Sequence, residues 1–599
     1  MAALEFITEN IGLWASAIRA KPTQGRGSNK KLELYGIKKL RELILELAVR
    51  GKLVPQDPND EPASVLLERI AAEKQKLVKQ MTIKKPKKLP EIVAGELPFT
   101  LPAGWKWARL QDMTRYIQRG MGPQYDDLGT VRVVSQKCVQ WSGFDIGVSR
   151  HIANESLGRY QKERFLQTGD LLWNSTGTGT VGRIVELDEI PAETLVADSH
   201  VTVVRPLEVL GGFLKAYIAA PGIQSRFETD HKSALVSGST NQVELNTSAV
   251  EKLEVPIPPK AEQHRIVAKV DELMALCDQL EQRTEASAYA HQLLVDTLLK
   301  SLINAEDASE LSENWGCLSE HFDTLITTDY AVERLKQTIL QLAVMGKLVP
   351  QDPSDEPASE LLKRIAAEKS QLISDQKIKK QKPLPEILDE EKPFSLPSGW
   401  VWSRIGESSL YSEYGISAKT FDTENGIPVL KMGDIQSGKV VLGGQKKASI
   451  DFKDISGLML NHGDILYNRT NSAELVGKTG RYEGPDNYYS FASYLIRIRC
   501  SEKNVCSEFL NLNMNSPFFR VTQVEPYLKQ QCGQANINGT IMKNMIVAIA
   551  PINEQKRIIS KVNDLTILLE NLKFRLQASR NTQTRLSEAI VDQLLLTHG

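Results

Sequence analysis

The feature that most constrains the fold of this chain is a long internal repeat. Residues 47–74 and 342–369 share one sequence, LAVxGKLVPQDPxDEPASxLLxRIAAEK, offset by 295 residues. The register continues to Phe99–Trp107 and Phe394–Trp402, which both contain Leu-Pro-x-Gly-Trp. Solenoid repeats are far shorter, at roughly 20–50 residues. The sequence therefore predicts a duplicated half-molecule with an internal pseudo-twofold axis.

The repeat resumes near the end of each half. Pro259–Val270 and Pro551–Val562 share the pattern Pro-x-x-Glu-Gln-x-Arg-Ile, now offset by 292 residues. Between the two matched zones the halves barely resemble each other. Each half thus consists of constant, variable and constant parts. This predicts one scaffold with two inserts that have different functions, or the same function on two targets.

Composition favours an ordinary soluble globular protein. Charged residues make up 25% and hydrophobic residues 41% of 599 positions. We see no membrane span and no secretory signal. The six cysteines form no Cys-x-x-Cys pair, which favours a cytoplasmic chain with free thiols; they are Cys138, Cys277, Cys317, Cys500, Cys506 and Cys532. With a net charge of −1, a nucleic-acid binder would have to concentrate positive charge locally.

The segment from Glu262 to about Ile303 predicts a long helix with a heptad seam, repeated after Glu554. The seam residues are Ile266, Val270, Leu273, Cys277, Leu280, Leu294 and Leu298, and in the second copy Ile558, Val562, Leu565, Leu569, Leu572, Leu576, Leu586 and Ile590. We expect the two helices to pack antiparallel as a coiled coil. The alternative is that each helix covers only its own domain.

The first constant block predicts a short amphipathic helix, a stop at Gly51, and a second helix with Ser64 as its N-cap. Gly346 is the matching stop in the second half. An exposed surface that is kept nearly identical within one chain favours two copies of one external partner. The lysine-rich segments at 84–88 and 377–382 are typical of solvated linkers, although they could approach a DNA backbone.

The variable inserts alternate strands with short helices, and one short sequence motif occurs in both. Gly169–Thr176 reads GDLLWNST, and Gly463–Thr470 reads GDILYNRT. This motif indicates that the inserts share a fold and differ in surface residues. The expected class is mixed α/β, with two globular domains joined by the two long helices.

Several motifs mimic catalytic or cofactor sites. Gly177–Gly182 fits G-x-G-x-x-G, but the sequence after it predicts a strand, whereas a dinucleotide site needs a helix there. Ser472–Thr479 mimics a P-loop without its first glycine. Asn515–Phe518 lacks the first proline of an adenine-methyltransferase motif. His200 and His231 have no Ser or Cys partner at a recognisable spacing. We therefore expect no catalytic, cofactor or metal site.

Taken together, the two variable inserts, the duplicated constant regions, the paired Pro-x-x-Glu-Gln-x-Arg-Ile starts and the Leu-Pro-x-Gly-Trp entries resemble the specificity subunit of a type I restriction–modification system. The long constant block before the first insert is similar to one subgroup of that family. The resemblance implies that each insert is a target-recognition domain that reads one half of a split, asymmetric DNA site, while the helices set the gap.

The resemblance also implies partners and cofactors. Two modification subunits, which use S-adenosylmethionine to methylate adenine, would dock on the constant regions. Restriction subunits, which use ATP and Mg, would join that core, and this chain would hold no cofactor. The expected segments are an N-terminal constant region (1–104), a first recognition domain (105–258), a central long helix (259–304), a linker with the second constant region (305–399), a second recognition domain (400–550) and a C-terminal long helix (551–599).

Polar residues near strand ends are the candidate DNA contacts, since Arg, Lys, Asn and Gln read bases and Ser and Thr bind phosphates. In the first insert they are Arg119, Gln124, Lys137, Asn174, Ser175, Thr176, Arg183 and His200. In the second they are Lys419, Lys431, Asn468, Arg469, Asn471, Lys478 and Tyr494. Asn174 and Asn468 rank first because both follow an apolar strand. Two other functions remain open: a methyltransferase with its own recognition domain, and an assembly scaffold that never binds DNA.

Overall fold

The computed structural model describes residues 7–20, 32–93, 97–239, 242–450, 455–528, 530–531 and 534–596. The predicted thiol at Cys532 lies outside these residues. The chain divides into two compact units. Unit 1 comprises residues 1–287 and 578–599, and unit 2 comprises residues 288–577. The end of the chain therefore belongs to the same unit as its beginning.

Six helices form the constant scaffold. In the first half they are α1 (Tyr35–Val49), α2 (Ala63–Lys79) and α3 (Lys260–Asn304); in the second they are α4 (Asp329–Val344), α5 (Ala358–Ser374) and α6 (Ile552–Leu596). Short helices at Ile11–Ser16, Ala308–Glu320 and Phe322–Leu325 precede α1 and α4. Both long helices predicted from the heptad seam are present. None of the helices in the described part of the chain has the length and apolar character that crossing a membrane requires.

Gly51 and Gly346 end α1 and α4, as predicted. Their φ angles are +66° and +69°, and the amide of the next residue, Lys52 or Lys347, bonds back to the carbonyl of Leu47 or Leu342. This is a Schellman cap, which requires a left-handed residue. A Cβ at Gly51 would also lie 2.6 Å from Pro102. The prediction for Ser64 is wrong, because α2 begins at Ala63 and its N-cap is Pro62.

The two long helices contribute to a shared core in each unit. In unit 1, Ile266 and Val270 near the start of α3 belong to one apolar cluster with Ile590 and Leu594 near the end of α6. In unit 2, Val295, Leu299 and Leu302 near the end of α3 belong to one cluster with Ile558 and Val562 near the start of α6. In both units the start of one long helix therefore shares a core with the end of the other, as the antiparallel arrangement that we expected requires.

The predicted seam is correct in the first part of each helix and only partly correct further along, where Ile590 is buried and Leu298 is half-buried, as predicted, but Leu294 and Leu586 are exposed. Ile266, Val270, Leu273 and Cys277 are buried, but Leu294 is 50% exposed and its counterpart Leu586 is 49% exposed. The buried face in the later part of α3 passes through Val295, Leu299 and Leu302 instead. A straight helix drifts by about 20° per heptad relative to a 3.5-residue period, so a strict heptad loses the buried face over this length.

Each unit contains a twisted, mainly antiparallel sheet. In unit 1 its strands are β1 (Thr114–Arg119), β2 (Leu171–Asn174), β3 (Ile184–Glu186) and β4 (Val201–Pro206), in the order β3-β2-β4-β1. In unit 2 they are β5 (Tyr411–Tyr414), β6 (Ile465–Asn468), β7 (Thr479–Arg481) and β8 (Leu495–Arg499), in the order β5-β8-β6-β7, extended by short strands at Lys439–Val440 and Ile435–Gln436.

Smaller elements complete both inserts in matching positions. A three-stranded sheet is formed by Leu195–Ala197, Arg132–Val134 and Arg150–His151 in unit 1, and by Lys447–Ala448, Ile427–Leu430 and Ser490–Phe491 in unit 2. Helices at Gly211–Ala219 and Ser507–Met514 cover the main sheets. The domain ends pair with each other, Lys106–Arg109 with Glu254–Ile257 and Val401–Arg404 with Ile546–Ile549. The inserts therefore share a fold, as their shared motif predicted.

The shared Gly-Asp motif is explained by an ion pair between a buried aspartate and an arginine of the neighbouring strand. Arg205 binds Asp170 through two hydrogen bonds of 2.6 and 2.8 Å, and Arg499 binds Asp464 through bonds of 2.7 and 2.5 Å. Asp170 and Asp464 also accept backbone amides three residues earlier, from Gln167 and Asn461. The carboxylate thus holds the turn before β2 or β6 to the neighbouring strand, which explains why both halves keep it.

Candidate DNA interface

One end of the unit 1 sheet gathers six of the predicted site residues. Arg119, the last residue of β1, pairs with Thr202, and Asn174, the last residue of β2, pairs with Val201. The ends of β1 and β2 lie beside the starts of β3 and β4. The residues at these strand ends and just beyond them therefore lie along one edge of the sheet. The six are Arg119, Asn174, Ser175, Thr176, Arg183 and His200.

The unit 2 sheet repeats this edge. Tyr414 pairs with Ile496, Asn468 pairs with Leu495, and Thr479 pairs with Tyr467. The same edge therefore gathers Asn468, Arg469, Asn471, Lys478 and Tyr494 from the predicted set. We call these two edges the recognition edges.

Strand register makes residues at the two recognition edges structurally equivalent. Arg119 corresponds to Tyr414, Ser175 to Arg469, Arg183 to Lys478, and His200 to Tyr494. Asn174 and Asn468 correspond to each other, as do Thr176 and Thr470. The frame is therefore kept, while four equivalent positions carry different side chains. Tyr414 was missed because only a structure shows that β5 ends beside β8.

Asn174 and Asn468 are buried, which argues against the first rank we gave them. Both are at most 2% exposed. Asn174 Nδ2 donates to the carbonyls of Gln136 and Val139 at 3.1 and 3.2 Å. Ser175 is also buried, and its hydroxyl lies 2.5 Å from Thr202 Oγ1. These three side chains position the edge and lie below the surface that a base edge would touch.

Arg119 and Arg183 are already engaged within unit 1. Arg119 forms an ion pair with Glu244 and donates to the carbonyl of Ser199. Arg183 bonds to Gln140 and, at 2.8 Å, to the carbonyl of Gly179. A contact with DNA by either side chain would have to compete with these bonds.

His200 is held beside a buried carboxylate. Its side chain is half exposed, and Nδ1 lies 3.6 Å from Asp198 Oδ2. Burial raises the pKa of Asp198, while the hydrogen bond from the His200 amide, 2.7 Å long, acts in the opposite direction. Asp198 therefore orients the loop that presents the imidazole to solvent.

Four other predicted residues lie on neighbouring loops, and two lie at the recognition edges themselves. Lys137 and Lys431 are exposed on short turns that follow Arg132–Val134 and Ile427–Leu430. Gln124 and Lys419 are exposed on the loops that follow β1 and β5. Thr176 and Asn471 are half-buried at the recognition edges, where they pair with Glu244 and Ala535 of the adjoining hairpins. Of all the predicted residues, only the buried Asn174, Ser175 and Asn468 are set aside. The others stay predicted DNA contacts.

Two glycines next to the recognition edges escaped the sequence analysis. A Cβ at Gly120 would lie 2.2 Å from the carbonyl of Asp198, and a Cβ at Gly415 would lie 2.2 Å from the carbonyl of Phe491. Neither position has room for a side chain, because the loops after β1 and β5 pass close to the ends of the strands Leu195–Ala197 and Ser490–Phe491. Their matching place in the two halves was the available signal.

The segments that resemble cofactor motifs form tight loops between strands. The G-x-G-x-x-G segment forms a tight loop, with Gly182 at φ +90°, and strand β3 follows it. Gly477 occupies the same place before β7, with φ +89°. No helix N-terminus follows either loop to hold a pyrophosphate. Within the described ranges, no group of three or more His, Cys, Asp or Glu side chains is placed to hold a metal ion.

Comparisons with known proteins found a family model, relatives by sequence and solved structures. A family model described as the type I restriction modification DNA specificity domain matches residues 103–288 and again residues 397–578. The chain is 39% identical to the type I restriction enzyme EcoEI specificity subunit of Escherichia coli, over 99% of this chain and 100% of that protein. It is 38% identical to the EcoAI specificity subunit of the same species, over 99% of each chain. A crystal structure of the HsdS subunit from Thermoanaerobacter tengcongensis aligns with 83% of this chain and 97% of its own, at 17% identity and a TM-score of 0.42.

Proposed function

The chain belongs to the type I restriction modification DNA specificity family, and from this premise we propose that it is the DNA sequence-specificity subunit of a type I restriction–modification complex. Each recognition edge reads one half of a bipartite, asymmetric DNA target. One observation carries this proposal: two units present the same sheet edge with different side chains at equivalent positions. A common fold that carries two different sets of side chains suits a DNA target with two different halves.

Long helices support a fixed spacing between the half-sites. Helices α3 and α6 each contribute residues to both units. A continuous helix rises by about 1.5 Å per residue, and a base pair advances DNA by about 3.4 Å. We propose that these helices set the spacer between the two halves of the target.

A duplicated apolar surface supports the docking of two modification subunits. In unit 1, Leu276 of α3 and Leu586 of α6 are 48% and 49% exposed; in unit 2, their counterparts Leu568 and Leu294 are 63% and 50% exposed. Each unit thus exposes the same pair of leucines, one from each long helix. Apolar side chains that are exposed at equivalent positions of both units are candidates for two equal docking sites.

The repeated block turns out to make extensive contacts within the chain. Asp60 binds Arg265 and Asp355 binds Arg557, at 2.6 and 2.7 Å. Lys52 donates to the carbonyl of Leu595, and Lys347 donates to that of Ala305, at 3.3 and 2.7 Å. Contacts within the chain therefore explain part of the repeated sequence. We propose an external partner only for the repeated residues that stay exposed, such as the identical Ala71-Ala72 and Ala366-Ala367.

In this proposal the chemistry resides in the partners. The modification subunits supply S-adenosylmethionine and methylate adenine, the restriction subunits supply ATP-driven and Mg-dependent steps, and the complex acts in the cytoplasm. This chain contributes the choice of sequence and no catalytic group.

An exchange of recognition domains tests the proposal. Residues 105–255 are replaced by the same region of a relative, and the methylated sequence is mapped in a host that carries the modification subunits. We expect one half of the target to change while the other half and the spacer stay the same. A change in both halves, or in neither, would refute the assignment of one domain to one half. A complex that methylates without any sequence requirement would refute the proposal as a whole.

A further inference from the structure

Arg469 occupies a fixed position at the recognition edge of unit 2. It follows Asn468 at the end of β6; its amide donates to the carbonyl of Tyr494 at 3.1 Å, and its carbonyl accepts from Ile537 at 2.9 Å. The peptide groups on both sides of the residue are therefore held. The side chain starts from a rigid backbone and is half-exposed.

The guanidinium of Arg469 stacks on Tyr414. Its central carbon lies 4.9 Å from the centroid of the tyrosine ring, and Nε lies 3.3 Å from Thr470 Oγ1. Tyr414 is itself held, because its hydroxyl accepts a 2.7 Å hydrogen bond from the amide of Gly539 and its backbone pairs with Ile496. A stacked guanidinium loses less conformational freedom on binding than a free one, so its terminal nitrogens are preorganised.

Those terminal nitrogens are uncommitted, unlike those of the other predicted arginines. Nη1 and Nη2 of Arg469 make no hydrogen bond to any residue that the structure describes. Arg119 is paired with Glu244, and Arg183 bonds to Gln140 and Gly179. In unit 1 the position of Arg469 is taken by Ser175, which is buried. Among the predicted arginines, Arg469 of unit 2 is thus the one whose terminal nitrogens are both oriented and without a partner among the described residues.

We propose that Arg469 reads a guanine in the half-site of unit 2 and that Tyr414 is its positioning residue. The planar fork of arginine matches O6 and N7 of guanine in the major groove, and this is the commonest specific contact between proteins and DNA. A phosphate can also accept both nitrogens of the fork, so the test below includes the outcome that marks a phosphate contact. This inference rests on the proposed function and adds to it a base, a reader and the residue that orients the reader.

The test uses the complex of the full chain with its modification subunits. The methylated target is first mapped for the wild type and for Arg469→Ala, Tyr414→Leu, Tyr414→Phe and Lys503→Ala. Lys503 is exposed beyond the opposite end of the same sheet, so its variant is matched for loss of one positive charge. Dissociation constants are then measured at fixed salt for duplexes carrying guanine or 7-deazaguanine, which lacks the N7 acceptor, at each guanine of the half-site.

We expect Arg469→Ala to relax the requirement for one guanine in one half-site, by about tenfold to a hundredfold in relative affinity, and to leave the other half unchanged. Wild type should lose part of this factor on 7-deazaguanine at that position, since O6 remains, and Arg469→Ala should lose nothing further. Tyr414→Leu should relax the same position, while Tyr414→Phe, which keeps the ring, should retain most of the preference. Lys503→Ala should keep the wild-type target.

Three results would overturn the inference and leave the proposed function standing: a half-site of unit 2 without guanine, a uniform loss of affinity without change of target, which marks a phosphate contact, or a relaxed position in the other half-site. Failure of the proposed function looks different, since the wild-type complex would then show no sequence-specific methylation that depends on residues 400–550.

Discussion

The indole nitrogen of Trp105 lies 3.0 Å from Oε2 of Glu262 and donates a hydrogen bond to it. Trp400 and Glu554 repeat the contact at 3.0 Å. The tryptophan is the entry to the recognition domain, and the glutamate lies in the first turn of the long helix. Next to it, the Gln263 side chain bonds to the amide of Leu210 and the carbonyl of Pro258, both at 3.0 Å. The Leu-Pro-x-Gly-Trp and Pro-x-x-Glu-Gln motifs therefore form one joint between domain and helix.

Trp105→Phe should weaken this joint. The substitution removes the N–H donor and leaves a buried carboxylate oxygen without its partner, so we expect the free energy of unfolding of unit 1 to fall by about 1–3 kcal/mol. Thermal or denaturant unfolding of the full chain measures the change. Trp107→Phe is the matched control, since Trp107 is half-buried and packs on Phe99 with ring centroids 5.1 Å apart. Equal losses in the two variants would show that the hydrogen bond adds nothing beyond packing.

The joint should also be sensitive to pH. Burial raises the pKa of Glu262 and of Glu554 above the ordinary value of 4.5. A carboxyl with a raised folded-state pKa contributes stability that is complete below its unfolded pKa and is lost as pH rises through the folded pKa. We therefore expect the double variant Glu262→Gln, Glu554→Gln to gain stability relative to wild type as pH rises from 4 to 8. Melting temperatures of both proteins across this range test the sign, and a difference that stays constant would contradict it.

Replacement of Asp170 by Asn should destabilise unit 1 by about 3–5 kcal/mol, because it leaves Arg205, which is 6% exposed, as a buried charge without its counter-ion. The double variant Asp170→Asn, Arg205→Met should recover part of that loss, since no uncompensated charge remains. Unfolding of the four proteins in the cycle gives the coupling energy. Additive losses would mean that the two side chains act independently.

Much of this architecture could be predicted from the sequence because the chain repeats itself. The long helices, the caps at Gly51 and Gly346 and the common fold of the inserts all follow from matched positions. Individual side-chain roles did not follow. Asn174 resembled a DNA contact because it ends an apolar strand, yet burial makes it a structural group. Tyr414 could not be recognised because its importance arises from β5 lying beside β8, a pairing between residues that are far apart in sequence.

The purified chain alone should transfer no methyl group to DNA. Neither recognition edge brings a nucleophile, an acid–base pair and a cofactor loop together among the described residues, and the apparent P-loop at Ser472–Thr479 leads into strand β7. Incubation with DNA and labelled S-adenosylmethionine, with and without the modification subunits, measures this. Label in the DNA without those subunits would instead support a methyltransferase with its own recognition domain. Gel-shift with the same samples distinguishes a DNA-binding subunit from a scaffold that never binds DNA.

Lengthening both long helices should lengthen the spacer of the target. One heptad inserted after Ser287 in α3 and one after Ser579 in α6, which occupy matching positions, adds about 10 Å to each helix, or about three base pairs. Because both insertions keep the helical faces in phase, the apolar pairing of α3 with α6 is retained. The insertion also rotates the recognition edges relative to the DNA groove, so the expected outcomes are a longer spacer or loss of the site. A four-residue insertion in both helices is the control, since it adds about 6 Å but shifts the seam by half a heptad. Methylation mapping reads the result, and an unchanged spacer with full activity would show that the gap is set by the modification subunits.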